Sequence, residues 1–432
     1  MQNRPVRIIL FILIFSPATL LAQKKLNSPY SRFNLGEINQ AGPLRGLSMG
    51  GTGIASRDNN SIYFQNPASY TSIDTNTFVF DFGVDMGKMA LIDKAETFHS
   101  SDLNFNHLLM GFPISKKLKF ATGIYPMTNG YYFLSDVVKE GDADYDPNIG
   151  QLSYVHHGQG SMADLFAGLG YKVSKNFSVG SNMNLIFGSL SRNSSFDFSD
   201  YTNTYDQASQ VVYKITGFRF DYGLQYTGKI NKKYFINAGL SFSPGLKLKT
   251  NYTELFTRFN TYTSASTDTL VNIASTSMDS TKIPASYKAG ISFGRINKFV
   301  VEADYTYTPW SKGRAPGSAG LLANVSSFNF GIEFTPDKYS NSSFLKRIDY
   351  RLGAHYSDNY FTMNGVQLKD YGISAGLGIL MRPSNSYSRA NIYFDFTRRE
   401  GDPSRGLINE NIFTIGLSLN LFDFWFIKKK YF

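Results

Sequence analysis

Apolar and polar residues alternate strictly along several stretches of this chain. In Asn411–Leu421, apolar side chains such as Phe413 occupy every second position, and Thr, Gly, Ser and Asn fill the positions between them. In Phe218–Thr227, Phe, Tyr and Leu alternate with polar residues that include Arg219 and Asp221. Because successive side chains of a β-strand point to opposite faces, each stretch predicts a strand with one apolar and one polar face.

Fourteen segments follow this pattern. A soluble β-sandwich would also produce alternation, but the length of about ten residues suits a tilted strand that crosses a membrane. The apolar faces are rich in Phe and Tyr, as in a lipid-facing band with aromatic girdles. We therefore predict an all-β protein, a transmembrane antiparallel β-barrel of fourteen strands. The predicted strands are Thr77–Gly87, Asn104–Ile114, Lys119–Tyr125, Ser161–Val173, Phe177–Leu190, Val211–Lys229, Tyr234–Thr250, Ala285–Gly294, Phe299–Thr308, Val325–Thr335, Ile348–Tyr356, Gln367–Leu380, Arg389–Arg398 and Asn411–Leu421.

The connections between these segments are alternately long and short. In bacterial outer-membrane barrels the short turns lie in the periplasm and the long loops lie outside the cell. The long connection 251–284 is rich in Thr and Ser and is predicted to be a mobile surface loop. Within the long connection 126–160, Asn129-Gly130 is a signal for a tight hairpin. An extra pair of strands there would make sixteen, so that number stays open.

The composition removes several function classes. Charged residues make up only 18% of the chain, below the roughly 25% of soluble proteins, and no apolar run of about 18 residues follows residue 22. The absence of Cys excludes disulfides, thiolate metal sites and a Cys nucleophile. The net charge of +10 is spread over short turns, for example at Lys232 and Lys233, rather than over one face. We therefore expect no nucleic-acid partner, and nothing in the sequence calls for a cofactor or a metal.

The first residues predict export. Arg4 and Arg7 precede the short apolar stretch Ile8–Phe15, and Ala22 is a suitable residue before a cleavage site. This is the pattern of a secretory signal peptide, residues 1–22, because the apolar stretch is too short to span a membrane as a helical anchor. Together with the barrel pattern, it predicts the outer membrane of a Gram-negative bacterium.

Residues 23–76 differ from the rest of the chain, and residues 77–432 form the predicted barrel. The segment 23–76 has no sustained alternation and contains the Gly-rich stretch Gly46–Ala55 and the stretch Ile62–Tyr70. A fourteen-stranded barrel encloses a lumen too wide for its own side chains to fill. We predict that this segment folds into the lumen as a plug, because its apolar content argues against the alternative of a disordered periplasmic arm.

Charged residues on the polar faces are predicted to point into the lumen. Charges that face lipid would cost roughly 2–4 kcal/mol each for Arg near the midplane. Inside the barrel they can pair with each other, with water or with the plug, and a substrate relay is the alternative interpretation. The residues concerned are Asp81, Asp85, Arg219, Asp221, Glu302, Asp304, Glu333, Arg351 and Asp395.

Two motifs in the N-terminal region resemble a known family. Gly50-Gly51-Thr52-Gly53, followed by Asp58 and by Asn66-Pro67-Ala68, is similar to the N-terminal hatch of the FadL/TodX outer-membrane transport family. The opening Ser28–Phe33 and the ending Trp425–Lys430 resemble its PorV-like branch from bacteria with type IX secretion. The resemblance implies a fourteen-stranded barrel with a hatch that contains Gly50, Gly51, Gly53, Asn66, Pro67 and Ala68.

The resemblance also implies a function. Family members import hydrophobic molecules such as long-chain fatty acids, so we expect passive uptake through a lumen gated by movement of the hatch around Asn66-Pro67. PorV-like members serve protein secretion, so an accessory barrel with secretion-system proteins as partners is the alternative. The other expected partners are outer-membrane lipid and a hydrophobic small molecule. An enzyme is not expected, because Ser48 and Ser292, the centres of two Gly-x-Ser-x-Gly motifs, do not follow the strand-to-helix pattern of a nucleophile elbow.

Overall fold

The computed structural model describes residues 28–92, 97–148, 150–198, 205–260, 265–275, 281–316, 322–381 and 388–424. The predicted signal peptide, residues 1–22, lies outside the described residues. The C-terminal motif at residues 425–430 lies outside them as well. Both remain predictions.

The described residues form a closed antiparallel barrel of fourteen strands, as the alternation predicts. The first and last wall strands pair with each other, with Thr77 opposite Phe424, and this pairing closes the barrel. The first strands are β1 (Glu37–Ile38), β2 (Thr77–Ile92), β3 (Thr97–Pro113), β4 (Leu118–Pro126), β5 (Thr128–Asn129), β6 (Tyr132–Val138), β7 (Leu152–Lys172), β8 (Phe177–Phe198), β9 (Asp206–Lys229) and β10 (Tyr234–Ser243). The others are β11 (Leu246–Asn260), β12 (Ala265–Ser275), β13 (Thr281–Ile283), β14 (Ser286–Arg295), β15 (Phe299–Thr308), β16 (Val325–Phe334), β17 (Asp349–Met363), β18 (Val366–Leu380), β19 (Arg389–Glu400) and β20 (Asn409–Phe424).

The two faces of the wall follow the alternation of the sequence. In β20, Leu417 is 54% exposed on the outside, whereas its neighbour Ser418 is 3% exposed and points inward. The same division holds in β9, where Phe218 is 58% exposed and Asp221 is buried. An outward apolar face with an inward polar face is the arrangement of a barrel in lipid.

Several wall strands are longer than predicted. β7, β8 and β9 contain 21, 22 and 24 residues, about twice what a membrane crossing needs. The connection 251–284, predicted as a mobile loop, instead contains the end of β11 together with β12 and β13. That prediction is wrong because the many Thr residues, read as loop residues, are β-branched and favour strands.

Three wall strands are interrupted among the described residues, and one of the breaks separates β13 from β14 at Pro284-Ala285. β10 and β11 are separated at Pro244-Gly245, because Pro244 cannot donate to the ladder. The third wall strand is split into β4 and β6, and between them β5 turns inward and pairs with β1. Asn129-Gly130 therefore does not form the hairpin that would have given sixteen strands, and that alternative is wrong.

The helices among the described residues are short. In this part of the chain, the α-helix α1 comprises Leu44–Leu47, and five 3-10 helices comprise Pro29–Arg32, Pro67–Ser72, Trp310–Lys312, Leu345–Arg347 and Pro403–Arg405. No helix among the described residues is long and apolar enough to cross a membrane. α1 begins after Pro43, whose extended backbone turns the chain into the helix.

Residues 28–76, here called the inner segment, lie against the inward face of the wall. Leu44, Met49 and Tyr63 are buried completely. One apolar cluster joins Tyr30 and Leu35 to wall residues such as Met162 and Leu190, and a second joins Ile62, Phe64 and Tyr70 to Phe166 and Phe422, among others. The interior therefore resembles the core of a globular protein.

Candidate functional site

The Gly-rich stretch contacts the wall backbone. Gly50 has φ +72°, and its amide donates to the Ser374 hydroxyl at 2.9 Å. A Cβ on Gly50 would lie 2.5 Å from the Ala354 carbonyl oxygen. Gly51 also has a positive φ of +87°, and the Gly53 amide donates to the Asp304 carboxylate at 2.7 Å. Glycine is required here because a side chain would push the segment away from the wall.

The wall also provides glycines at this contact. A Cβ on Gly353 would lie 2.0 Å from the Gly50 nitrogen, and one on Gly331 would lie 2.4 Å from the Met49 carbonyl oxygen. Both wall residues stand at inward positions of adjacent strands, β16 and β17. The inward glycines therefore form a groove into which the backbone of the inner segment fits.

Asn66 connects the second predicted motif to another part of the wall. Its carbonyl oxygen accepts from the Ala68 amide at 3.2 Å and so caps the 3-10 helix that begins at Pro67. Its amide nitrogen donates to the Ile54 carbonyl at 2.8 Å and approaches the carbonyls of Leu224 and Leu240 at 3.3 Å each. Asn66, Pro67 and Ala68 are all buried. This motif is fixed both to the inner segment and to β9 and β10.

Six charges form a closed ring, here called the charge ring, in which five members are buried and the side chain of Asp58 is 12% exposed. In order around it, the members are Arg45, Glu333, Arg351, Asp349, Arg389 and Asp58, with positive and negative charges alternating. Arg45 donates to both carboxylate oxygens of Glu333 at 2.8 Å and lies 3.3 Å from Asp58. Arg351 donates to Glu333 at 2.7 Å, and the remaining pairs are separated by 3.2–3.5 Å.

The charge ring joins the inner segment to the wall. Arg45 and Asp58 belong to the inner segment, and the other four members belong to β16, β17 and β19. Burial alone would raise the pKa of Asp58, but Arg45 and Arg389 outweigh burial and lower that pKa below its usual value. Asp58 is therefore held as a carboxylate, and every charge in the ring has two opposite neighbours.

Two further predicted carboxylates bind the inner segment directly. Glu302 accepts from the hydroxyls of Thr52, at 2.9 Å, and Ser56. Asp304 accepts from the backbone amides of Gly53 and Ile54 at 2.7 and 3.0 Å. Together with Glu333, these residues place three adjacent wall carboxylates along the Gly-rich stretch.

The other predicted lumen charges pair mainly within the wall. Arg219 lies 3.0 Å from both Asp164 and Asp221. Asp85 accepts from Asn106 at 2.6 Å. Asp81 lies 3.3 Å from His107, and Asp395 accepts from Thr397 at 2.6 Å. The nine predicted charges therefore divide between contacts to the inner segment and contacts that stabilise the wall.

Sequence reasoning missed several residues that hold the inner segment. Arg45 stands between Leu44 and Gly46 in a region without alternation, so no pattern indicated its partner. Arg399 was also missed: it contacts Glu37 of the inner segment, Glu410 at 2.9 Å and Asp370 at 2.8 Å. The polar-face position of Arg399 in β19, opposite the outward Phe394 and Phe396, was the available signal.

The barrel wall has a gap beside β6. β3 pairs with β2 along nearly its whole length, but it pairs with β4 only from Leu108 onward. Among the described residues, no backbone ladder joins the first part of β3, residues 97–107, to β6. This opening, here called the wall gap, is bordered by the exposed side chains of Leu103, Phe105 and Phe133. β3 has a bulge at Asn106, because His107 and Phe105 pair with consecutive residues of β2. This bulge lies at the end of the wall gap where pairing with β4 begins.

The inner segment supplies backbone partners where the wall strand breaks. β1 and β5 form a two-stranded ribbon, with Ile38 opposite Thr128. The amide of Asn39 donates to the Met127 carbonyl at 3.0 Å. Gly36 has φ +81°, and a Cβ there would lie 2.3 Å from the Asn129 carbonyl oxygen. The ribbon lies beside the wall gap and next to the apolar cluster that contains Met162 and Leu190.

A metal site is not formed by the described residues, which include no group of three or more His, Asp or Glu positioned to hold a metal ion. Ser48, the centre of the first Gly-x-Ser-x-Gly motif, donates to the Arg45 carbonyl at 2.8 Å. The main features of the site are the buried ion pairs, the apolar clusters of the interior and the wall gap.

Comparison with solved structures gives the class of this fold. It is similar to the P. putida toluene transporter TodX, with 13% identity, 90% of this chain and 99% of that chain covered, and a TM-score of 0.60. The fold is also similar to that of the Ralstonia pickettii toluene transporter TbuX, with 14% identity, 88% of this chain and 98% of that chain covered, and a TM-score of 0.55. A Pseudomonas aeruginosa FadL homologue is similar with 11% identity, 90% of this chain and 100% of that chain covered, and a TM-score of 0.53. The fold is therefore that of a FadL-like outer-membrane barrel, as the resemblance implied.

The family can be stated more narrowly. The model of the BamG family matches residues 6–432, and the chain belongs to this family. The barrel fold and this relationship support localisation in the outer membrane. A search of curated proteins finds no match. The PorV-like branch is not confirmed.

Proposed function

We propose that this protein passes hydrophobic small molecules across the outer membrane, with the inner segment as a plug and the wall gap as the lateral exit. The observation that carries the proposal is the interruption of the third wall strand between Pro126 and Tyr132. A barrel in lipid normally pairs all its backbone groups. An opening in the wall is therefore unusual and indicates a function. An apolar molecule could leave through it into the lipid without crossing the polar surface layer.

The likeness to TodX and TbuX supports this substrate class, since both are described as toluene transporters. The apolar cluster with Tyr30, Leu35 and Leu190 lies behind the ribbon and would bind an apolar molecule on its way to the gap. Fatty-acid-like or aromatic molecules both fit such surroundings. Movement down a concentration gradient would suffice.

We place the moving part at the ribbon of β1 and β5. Asn66-Pro67, where sequence reasoning placed the hinge, is tied through Asn66 to β9 and β10, which do not border the gap. The ribbon has only two residues in each strand. Separating β1 from β5 would open a route from the apolar cluster to the wall gap while the charge ring stays closed.

A disulfide across the ribbon tests this route. The chain contains no Cys, so Ile38→Cys with Thr128→Cys gives a single pair of thiols at directly opposed positions. We expect the oxidised protein in liposomes to lose permeation by a labelled hydrophobic probe such as a fluorescent fatty acid, and a reductant to restore it. The control pair is Ser327→Cys with Ser357→Cys, whose hydroxyls lie 2.7 Å apart on the wall. Equal permeation in the oxidised and reduced ribbon variant would exclude this route.

One observation favours a second candidate, an accessory barrel that binds protein partners. β7, β8 and β9 extend well beyond the length needed to cross the bilayer and form an ordered sheet outside it. If liposomes with wild-type protein show no more probe permeation than empty liposomes, the transport proposal fails and this second role becomes the better one.

A further inference from the structure

Three turns meet at one end of the barrel and form a cleft. They are the short turns 230–233 and 296–298 and the longer turn 335–348, and we expect them on the periplasmic side because short connections lie there. The Ile296 amide donates to the Lys233 carbonyl at 2.9 Å, and the Thr335 amide donates to the Lys298 carbonyl at 2.7 Å. These bonds fix the turns to one another. The cleft between them, here called the turn cleft, has a volume of about 310 Å³.

The turn cleft is strongly basic. Its lining includes Lys232, Lys233, Arg295, Lys298 and Lys338, and among the described residues that line it Asp337 is the single acid. Burial, followed by the nearby Arg389, lowers the pKa of Lys338, although Asp58, Asp349 and Glu333 act in the opposite direction. Five cations against one carboxylate favour a bound anion.

The strands that carry these turns present aromatic side chains to the lipid. Tyr234, Phe293 and Phe299 stand at outward positions of β10, β14 and β15, next to the turns, with ring centroids 6.0–6.5 Å apart. Aromatic residues mark the level where the hydrocarbon meets the headgroups. Ile230 and Ile296, 60% and 45% exposed, continue the apolar surface into the turns. The basic cleft is thus next to the headgroup layer, which favours a lipid over a soluble anion.

We propose that the turn cleft binds the phosphodiester headgroup of an anionic phospholipid from the adjacent leaflet, with the acyl chains lying on Tyr234, Phe293 and Phe299. The cations of the turns contact the phosphate, and the aromatic side chains contact the chains. This site is separate from the wall gap and does not depend on the transport proposal. It would attach the short-turn end of the barrel to anionic lipid.

The test uses the full-length protein in mild detergent and native mass spectrometry with added dioleoylphosphatidylglycerol or dioleoylphosphatidylcholine. We expect the anionic lipid to bind preferentially, and Lys232→Gln with Lys233→Gln to weaken that binding by about tenfold. The matched control is Lys116→Gln with Lys117→Gln, which removes the same charge from another exposed short turn outside the cleft. Lys232→Arg with Lys233→Arg should keep wild-type binding. Heat-dependent gel mobility reports folding, and Lys232→Gln alone provides the test if the double variant does not assemble.

Three results would overturn the proposal. Equal loss in the control pair would mean that general surface charge, rather than the cleft, attracts lipid. Displacement of the lipid by inorganic phosphate at similar concentration would make the cleft a site for a soluble anion. Displacement by a hexaglutamate peptide, with no preference between the two lipids, would make it a site for an acidic protein segment.

Discussion

Replacing Arg45 by Met tests whether the charge ring holds the inner segment in the lumen. Arg45 is 6% exposed and contacts Glu333 through two hydrogen bonds of 2.8 Å. Met keeps most of the aliphatic length and removes the charge. The substitution leaves Arg351 and Arg389 to face three carboxylates.

The expected cost follows from the geometry of the ring. Removing one partner of a buried ion pair costs about 3–5 kcal/mol, because the other charge stays buried without compensation. Glu333 keeps Arg351 at 2.7 Å and Asp58 keeps Arg389 at 3.4 Å, so we expect the lower end, about 3 kcal/mol. The wall ladders do not include Arg45. The cost should therefore fall on docking of the inner segment and raise its opening roughly a hundredfold.

Hydrogen exchange measured by mass spectrometry in detergent distinguishes opening of the inner segment from opening of the barrel wall. We expect amides of residues 44–64 to exchange faster in Arg45→Met, while amides of β14 and β15 keep their wild-type rates. Arg258→Met is the control, because its pair with Asp268 is exposed and should contribute only about 0.2–1 kcal/mol. Adding Glu333→Gln to Arg45→Met should cost less than the sum of the single changes, because the four remaining charges are balanced.

Two results would refute this reasoning. Unchanged exchange of residues 44–64 would mean that packing, rather than the charge ring, holds the inner segment. Equal acceleration in the wall strands would mean that the inner segment and the barrel open as one cooperative unit, so that no plug could move alone.

Three further predictions use other parts of the fold. Leu417→Asp puts a carboxylate on the lipid face of β20 and should lower the amount of assembled barrel in heat-shift gels; an unchanged amount would mean that this face does not meet lipid. Gly50→Ala should speed hydrogen exchange of the inner segment, because its Cβ would lie 2.5 Å from a wall carbonyl, whereas Gly406→Ala, at φ +73° with no atom within 4 Å of the added Cβ, should not; equal effects would make backbone strain alone the cause. An epitope tag after Thr267 should bind antibody on intact cells and a tag in the turn 230–233 should not, and the reverse result would invert the topology.

The strand pattern could be predicted because the two faces of each strand meet two different environments, lipid and lumen. Lipid accepts only apolar side chains and the lumen accepts polar ones, so alternation in β9 or β20 marks both faces without knowledge of neighbouring strands. The predicted strand ends were wrong where the strands extend beyond the lipid, because the two faces of a strand need not differ in polarity there. β8 continues through Ser191–Phe198, where both faces are partly exposed and the alternation fades.

The partners of the inward charges could not be predicted in the same way. Glu333 could be assigned to the lumen from its neighbours in β16, but its contact with Arg45 spans 288 positions of the chain. The glycines Gly331 and Gly353 gave no signal of their own, since their role depends on the backbone that lies against them. Contacts of this kind depend on how the inner segment packs, which no local pattern records.

The sequence by itself determined the barrel, the outward aromatic face and a distinct N-terminal segment, because burial in lipid acts on every residue locally, whereas the choice between fourteen and sixteen strands came from the structure. Only the tertiary structure decided the closed charge ring, the ribbon of β1 and β5 and the wall gap. In each of these, the backbone or charged groups are satisfied by residues far away in the chain. An unpaired backbone or a buried charge must find a partner, but which partner it finds is set by the arrangement of the whole barrel.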